Sequence, residues 1–156
     1  MALNRGKQFE EKVRLGLEAL EGSTVERFVD QQSGYKGSTN TSDFLMYLFP
    51  YAYYIECKTT MSNTYSIASL SQYDKLLSKR GRKGVRAGVV LWYVNRDKVV
   101  YIPISTFEKA KKDGLKSINI KMLDDDNYRI IEIPSKKLRV FMDSDFSILT
   151  QLEEGD

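Results

Sequence analysis

Histidine is absent from all 156 residues, and that absence excludes more chemistry than any residue present suggests. Without an imidazole the chain has no Ser-His-Asp or Cys-His nucleophile and no nuclease mechanism built on an imidazole base or ligand. Cysteine is nearly absent too. Cys57 is the only one, so an internal disulfide and a cysteine-rich zinc site are both excluded. Long apolar runs are missing, and the opening Met1-Ala2-Leu3-Asn4-Arg5-Gly6-Lys7 leads into a charged helix, so neither a signal peptide nor a membrane span is expected and a cytoplasmic protein is. Net charge is small: 24 Lys and Arg against 21 Asp and Glu give +3, compatible with an anionic partner without requiring one. The length suits one globular domain with a real core. Of the usual hydrolytic chemistries, carboxylate chemistry remains.

What is present centres on the run from Ser42 to Lys58, which sets two acids and a lysine among apolar residues and tyrosines. Its pattern predicts a β-hairpin turning near Phe49-Pro50. With a period of two, Ala52, Tyr54, Glu56 and Lys58 share one face, while Tyr53, Ile55 and Cys57 share the other and make Cys57 a core residue. Asp43 and Glu56 are equally far from the turn centre. The simplest antiparallel register sets them opposite each other, with Cβ atoms roughly 5 Å apart. Two carboxylates that close must share a proton, shift their pKa values strongly or bind a cation, and a hard divalent ion such as Mg2+ suits them.

In chain order, Phe9, Val13, Leu17 and Leu20 form one stripe of a helix from Lys7 to Leu20. A strand is expected over Thr24 to Asp30, then a polar surface loop from Gln31 to Thr41 that leads into Asp43 and contains Lys36. After the hairpin, Thr59 to Asn63 reads as a polar connection and Ser69 to Arg80 as a helix stopped by Gly81. Lys79 to Arg86 packs five cations and two glycines into eight residues, a segment expected in solvent. Ala87 to Val94 reads as a strand covered on both faces, joined through Asn95-Arg96-Asp97 to a strand over Val99 to Ile104. Ser105-Thr106-Phe107-Glu108 has capping-box spacing and opens a helix ending near Gly114. Short strands over Ser117 to Ile120, Arg129 to Ile133 and Leu138 to Met142 and a terminal helix from Ser144 to Glu153 complete the expectation.

Asn4-Arg5-Gly6 followed by Phe9-Glu10, then Asp43, then Glu56-Cys57-Lys58-Thr59, then Gln72, resembles the RecU-type Holliday-junction resolvases of the PD-(D/E)xK nuclease superfamily, over roughly residues 4 to 110. The resemblance implies an α/β (α+β) core with a central mixed sheet flanked by helices. It also implies Mg2+-dependent cleavage of branched DNA, above all four-way junctions, by a symmetric homodimer, with Mn2+ as a substitute ion. In that pattern Asp43 and Glu56, with the Cys57 backbone carbonyl, hold the metal; Lys58 orients water or balances phosphate charge; Glu10 approaches the metal from the first helix; and Gln72 positions phosphate or nucleophile. Phosphate contacts fall to Arg5, Lys7, Lys36, Lys79, Arg80, Arg82, Lys83 and Arg86.

Plainer readings stand beside these. Glu10 lies four residues before Arg14, the spacing of a helix-surface ion pair. Gln72 closes Ser69-Leu70-Ser71-Gln72, itself a capping-box pattern. Tyr51, Tyr53 and Tyr54 read as packing residues in preference to a base-stacking platform. Ser42 stands where the superfamily motif has proline, and the Gln31 to Thr41 segment is far shorter than the protruding stalk of RecU-type enzymes, as in a phage form. Another PD-(D/E)xK endonuclease acting on duplex or flapped DNA, a non-catalytic DNA-binding module of the same fold, and a protein-interaction domain are the alternatives.

Overall fold

The computed structural model describes residues 4–29, 40–153 and 156. The elements are α1 (Arg5–Glu18), β1 (Thr24–Arg27), β2 (Phe44–Leu48), β3 (Tyr51–Thr60), β4 (Thr64–Ser66), α2 (Tyr73–Leu77), β5 (Val85–Tyr93), β6 (Lys98–Pro103), α3 (Ile104–Lys112), β7 (Ser117–Asn119), β8 (Ile131–Ile133), β9 (Ser135–Lys137) and β10 (Met142–Ser144). Six strands form one mixed sheet in the order β1-β2-β3-β5-β6-β8, in which only the β3–β5 contact is parallel. This is the α+β architecture expected, a central mixed sheet flanked by helices. The parallel contact follows from the connection: β2 and β3 are joined by a tight turn and must be antiparallel, whereas the 24 residues between Thr60 and Val85 carry the chain across the sheet through α2.

Each face of the sheet has its own core. On one face Phe9, Val13 and Leu17 of α1 pack with Ile55, Val90, Trp92 and the C-terminal Phe146 and Leu149. On the other, Leu76 of α2 and Phe107 and Ala110 of α3 pack with Val89, Leu91, Val100 and Ile102. β5 feeds both, with every residue from Arg86 to Tyr93 buried, as its unbroken apolar run requires. Phe9 lies 5.5 Å, ring centre to ring centre, from Trp92, and truncating such a buried ring costs roughly 3–5 kcal/mol.

The α1 stripe and the turn at Phe49-Pro50 fall where the pattern puts them. Several boundaries differ. The first strand ends at Arg27, and Lys36 with most of the Gln31 to Thr41 loop lies outside the described residues. β3 continues through Thr60, so the expected polar connection begins later, and β4 follows it because it finds a partner in β7. The helix expected over Ser69 to Arg80 shrinks to Tyr73–Leu77, behind a 3-10 turn at Ile67–Ser69. The capping box at Ser105 does not form, because α3 begins at Ile104 with Pro103 at the N-cap and Ser105 is already inside the helix. Of the strand expected over Leu138 to Met142 only Met142 is in one, as the first residue of β10; residues 138–141 link β9 to β10, closed by the Leu138 N–H donating to the Phe141 carbonyl at 2.8 Å. The terminal helix is a 3-10 run over Phe146–Gln151. Among the described residues, no helix is long and apolar enough to cross a membrane.

Candidate metal centre

The β2–β3 register pairs Phe44 with Ile55 and Leu48 with Tyr51, so one further step sets Asp43 opposite Glu56, as the hairpin pattern predicts. Phe44 and Ile55 point into the α1 core. Strand alternation therefore turns Asp43, Glu56 and Lys58 toward the α2 and α3 face, where Glu56 neighbours Val89 of β5. Asp43 is anchored at both ends: its main-chain carbonyl accepts the Phe28 N–H at 2.9 Å, and its carboxylate accepts the Cys57 N–H at 2.8 Å.

Glu56 is only 3% exposed. Burial, then the Asp43 charge and a hydrogen bond to Asp43, push its pKa up to about 9; the Lys58 ammonium opposes this and the Glu10 charge adds to it. Lys58 Nζ stands 3.7 Å from Glu56 Oε1, too far for a strong charge-assisted hydrogen bond. At neutral pH Glu56 therefore keeps its proton. Two apposed carboxyl groups are a donor set that Mg2+ accepts while keeping several of its waters, and binding there would release the Glu56 proton. The residues present fit such an ion, with two carboxyl groups only. No cluster of three or more acidic or cysteine groups arranged to hold a metal occurs among the described residues.

Glu10 explains the shortfall. Its carboxylate is 3.0 Å from Arg27 Nε on β1, so it reaches the pair through its charge. Its expected partner Arg14 is taken up by Glu11 and Glu18. Cys57 follows Glu56 on the strand with its side chain against the α1 core, where burial and the surrounding carboxylates hold the thiol well above its ordinary pKa. Gln72 precedes α2 without capping it, and its amide oxygen accepts the Ser71 hydroxyl at 3.0 Å.

The cations part company. Arg5 donates to the Met61 sulfur at 3.1 Å beyond the end of β3, and Lys7 is exposed. Lys79 lies over the Tyr54 ring at 5.1 Å, Arg80 pairs with Glu108 at 3.0 Å, and Arg82 and Lys83 are exposed. Arg86 contradicts the expectation of a solvent phosphate contact: it is 5% exposed, stacks on Tyr51 at 3.8 Å and donates to the Leu152 carbonyl at 3.1 Å. It is a structural residue because β5 begins one position before it and turns it into the sheet.

Sequence reasoning missed Tyr65 on β4. The ring is buried, its hydroxyl has no hydrogen-bond partner among the described residues, and the Glu56 charge adds to the burial that raises its pKa. No local signal marks it, because β4 is defined by a partner strand more than fifty residues away.

No protein-family profile matches the chain, and no curated protein matches it either. A solved structure does: Hjc, a Holliday junction resolvase from the archaeal hyperthermophile Archaeoglobus fulgidus, is similar over 65% of this chain and 78% of its own, with a TM-score of 0.50 and 20% identity. At that identity the likeness establishes a shared fold: the sheet that carries Asp43, Glu56 and Lys58 is of the kind found in that resolvase.

Proposed function

We propose that this chain is a Mg2+-dependent endodeoxyribonuclease that cuts branched DNA, with the four-way junction as its preferred substrate. The observation that carries the reading is a carboxyl group, Glu56, buried to 3% exposure against a second acid, with a lysine two residues on along the same strand. A fold shared with a protein described as a Holliday junction resolvase supports it.

In this reading Asp43, Glu56 and the Cys57 main-chain carbonyl hold the ion, and Mn2+ substitutes for Mg2+. A divalent cation bound there supplies polarisation of the scissile phosphate and a lowered pKa for the attacking water. Lys58 balances the charge that develops on the phosphate oxygens. Gln72 orients phosphate or water, and Glu10, held by Arg27, shapes the field at Glu56. Arg5, Lys7, Lys79, Arg80, Arg82 and Lys83 supply phosphate contacts, which carry affinity but not sequence. A cytoplasmic homodimer presents two such sites, one for each of two opposed strands, and the short segment before Asp43 corresponds to the reduced stalk of a phage RecU-type form.

The test is a gel assay with four-way junction, flap and linear duplex, each with Mg2+ and with EDTA. Paired nicks in the junction, dependent on Mg2+ and suppressed least by excess duplex, are expected. Equal cutting of linear duplex points instead to a general endonuclease of the same fold, and binding without any cutting points to a DNA-binding module.

A further inference from the structure

The proposed chemistry leaves the other end of the β2–β3 hairpin unexplained. Phe49, at the turn, is 82% exposed and Tyr47 is 50% exposed, although the neighbouring tyrosines are fully engaged: Tyr51 stacks on Arg86, and Tyr53 is buried with its hydroxyl donating to the Leu149 carbonyl at 3.0 Å. The loop after α2 is fixed against this turn. The Ala52 N–H donates to the Gly84 carbonyl at 2.8 Å, and Gly84 has a φ of +75° with room for a Cβ only 3.4 Å from the Pro50 oxygen. Arg82 and Lys83 in that loop are exposed and have no carboxylate partner among the described residues, and they line a cleft of about 520 Å³ with Pro50 and Ser105. Between the turn and the acids, Tyr54 lies under Lys79 on the same strand face as Glu56.

We propose that this hairpin face is a track for unpaired DNA: Phe49 is a base-stacking platform, Arg82 and Lys83 hold the phosphates beside it, and the strand runs past Tyr54 and Lys79 to the acids. The inference rests on the nuclease reading and adds a grip on branched DNA that carries an unpaired arm, as a flap does. An exposed ring next in the chain to Pro50, which lines the cleft that Arg82 and Lys83 also line, matches the alternation of base and phosphate in a single strand. A protruding ring needs a base face that is not already stacked, so paired duplex gains nothing from it.

The experiment is fluorescence anisotropy in EDTA with a splayed-arm DNA and a fully paired duplex of equal length. Phe49→Ala is expected to lose about tenfold in affinity for the splayed arm and less than about twofold for the duplex, with Phe49→Trp restoring the difference. The double change Arg82→Ala, Lys83→Ala is expected to weaken both DNAs and to flatten the salt dependence. Wild-type affinity of Phe49→Ala for both DNAs overturns the track, and so does a sedimentation experiment in which the variant's only defect is a lost protein dimer. A protein that grips the splayed arm through Phe49 but cuts nothing in Mg2+ removes the nuclease reading and leaves the track standing. Mg2+-dependent cutting with Phe49→Ala unaffected in binding does the reverse.

Discussion

Among the described residues two charged side chains, Arg86 and Glu56, are taken out of water along this sheet, and they are treated in opposite ways. Arg86, at the start of β5, is 5% exposed and has partners of the right kind for a cation: the Tyr51 ring at 3.8 Å, the Tyr53 ring at 5.6 Å and the Leu152 and Glu153 carbonyls at 3.1 and 3.4 Å. Glu56, on the neighbouring strand, is 3% exposed and faces another acid, with the Lys58 ammonium at 3.7 Å. A buried charge with its partners supplied is a device of the fold, tying the C-terminal segment to the hairpin. One set against a like charge is costly to the fold and makes sense where a cation arrives from outside.

Breaking the acid side of this contrast has the largest expected effect. Glu56→Gln keeps the shape and removes the proposed ligand of an ion that would contribute several kcal/mol of charge stabilisation, so Mg2+-dependent nicking is expected to fall by about a thousandfold or more, while DNA binding in Ca2+ is expected to stay within about twofold of wild type in a gel-shift titration. Breaking the cation side acts on stability instead. Arg86→Ala removes two carbonyl contacts and a ring stack, and urea unfolding is expected to show a loss of roughly 2–3 kcal/mol, with the nicking rate per folded molecule unchanged.

pH sharpens the difference. Glu56 has its folded pKa raised from 4.5 to about 9, so between those values the folded state holds a proton that the unfolded state has lost. The metal-free protein must then lose stability as pH rises across that window. Thermal unfolding in EDTA is expected to show the melting temperature falling from pH 5 to pH 9, the fall being absent in Glu56→Gln and reduced by Mg2+, which replaces the proton. The smallest effect belongs to Glu10→Gln. Its half-exposed pair with Arg27 contributes less than about 1 kcal/mol, and because the charge acts on Glu56 only at a distance, nicking should change by about tenfold or less. A loss as large as that of Glu56→Gln would make Glu10 a direct ligand.

The acid pair was legible in the sequence because a hairpin with a two-residue turn has one natural register, and counting from Phe49-Pro50 gives Asp43 opposite Glu56 without any tertiary information. The α1 stripe and the apolar β5 run were legible for the same reason, each being a local pattern with one period. Arg86 was not, because five cations in eight residues read as solvent, and what takes one of them inside is a tyrosine 35 positions earlier and carbonyls 66 and 67 positions later. The capping boxes failed on the helix starts: α3 begins at Ile104, which puts Ser105 inside the helix, and α2 begins at Tyr73, after the whole Ser69 to Gln72 pattern. The Glu10 pairing shows the same limit. Spacing proposed Arg14, and the packing of α1 beside β1 supplied Arg27.

The most direct measurement of the central claim is a calorimetric titration of the DNA-free protein with Mn2+. Wild type is predicted to bind one ion per chain with release of a proton, and Asp43→Asn and Glu56→Gln, folded by circular dichroism, are each predicted to lose that binding. Unchanged Mn2+ binding in both variants would contradict the account and leave the facing acids as a strained feature of the hairpin with no metal to explain it.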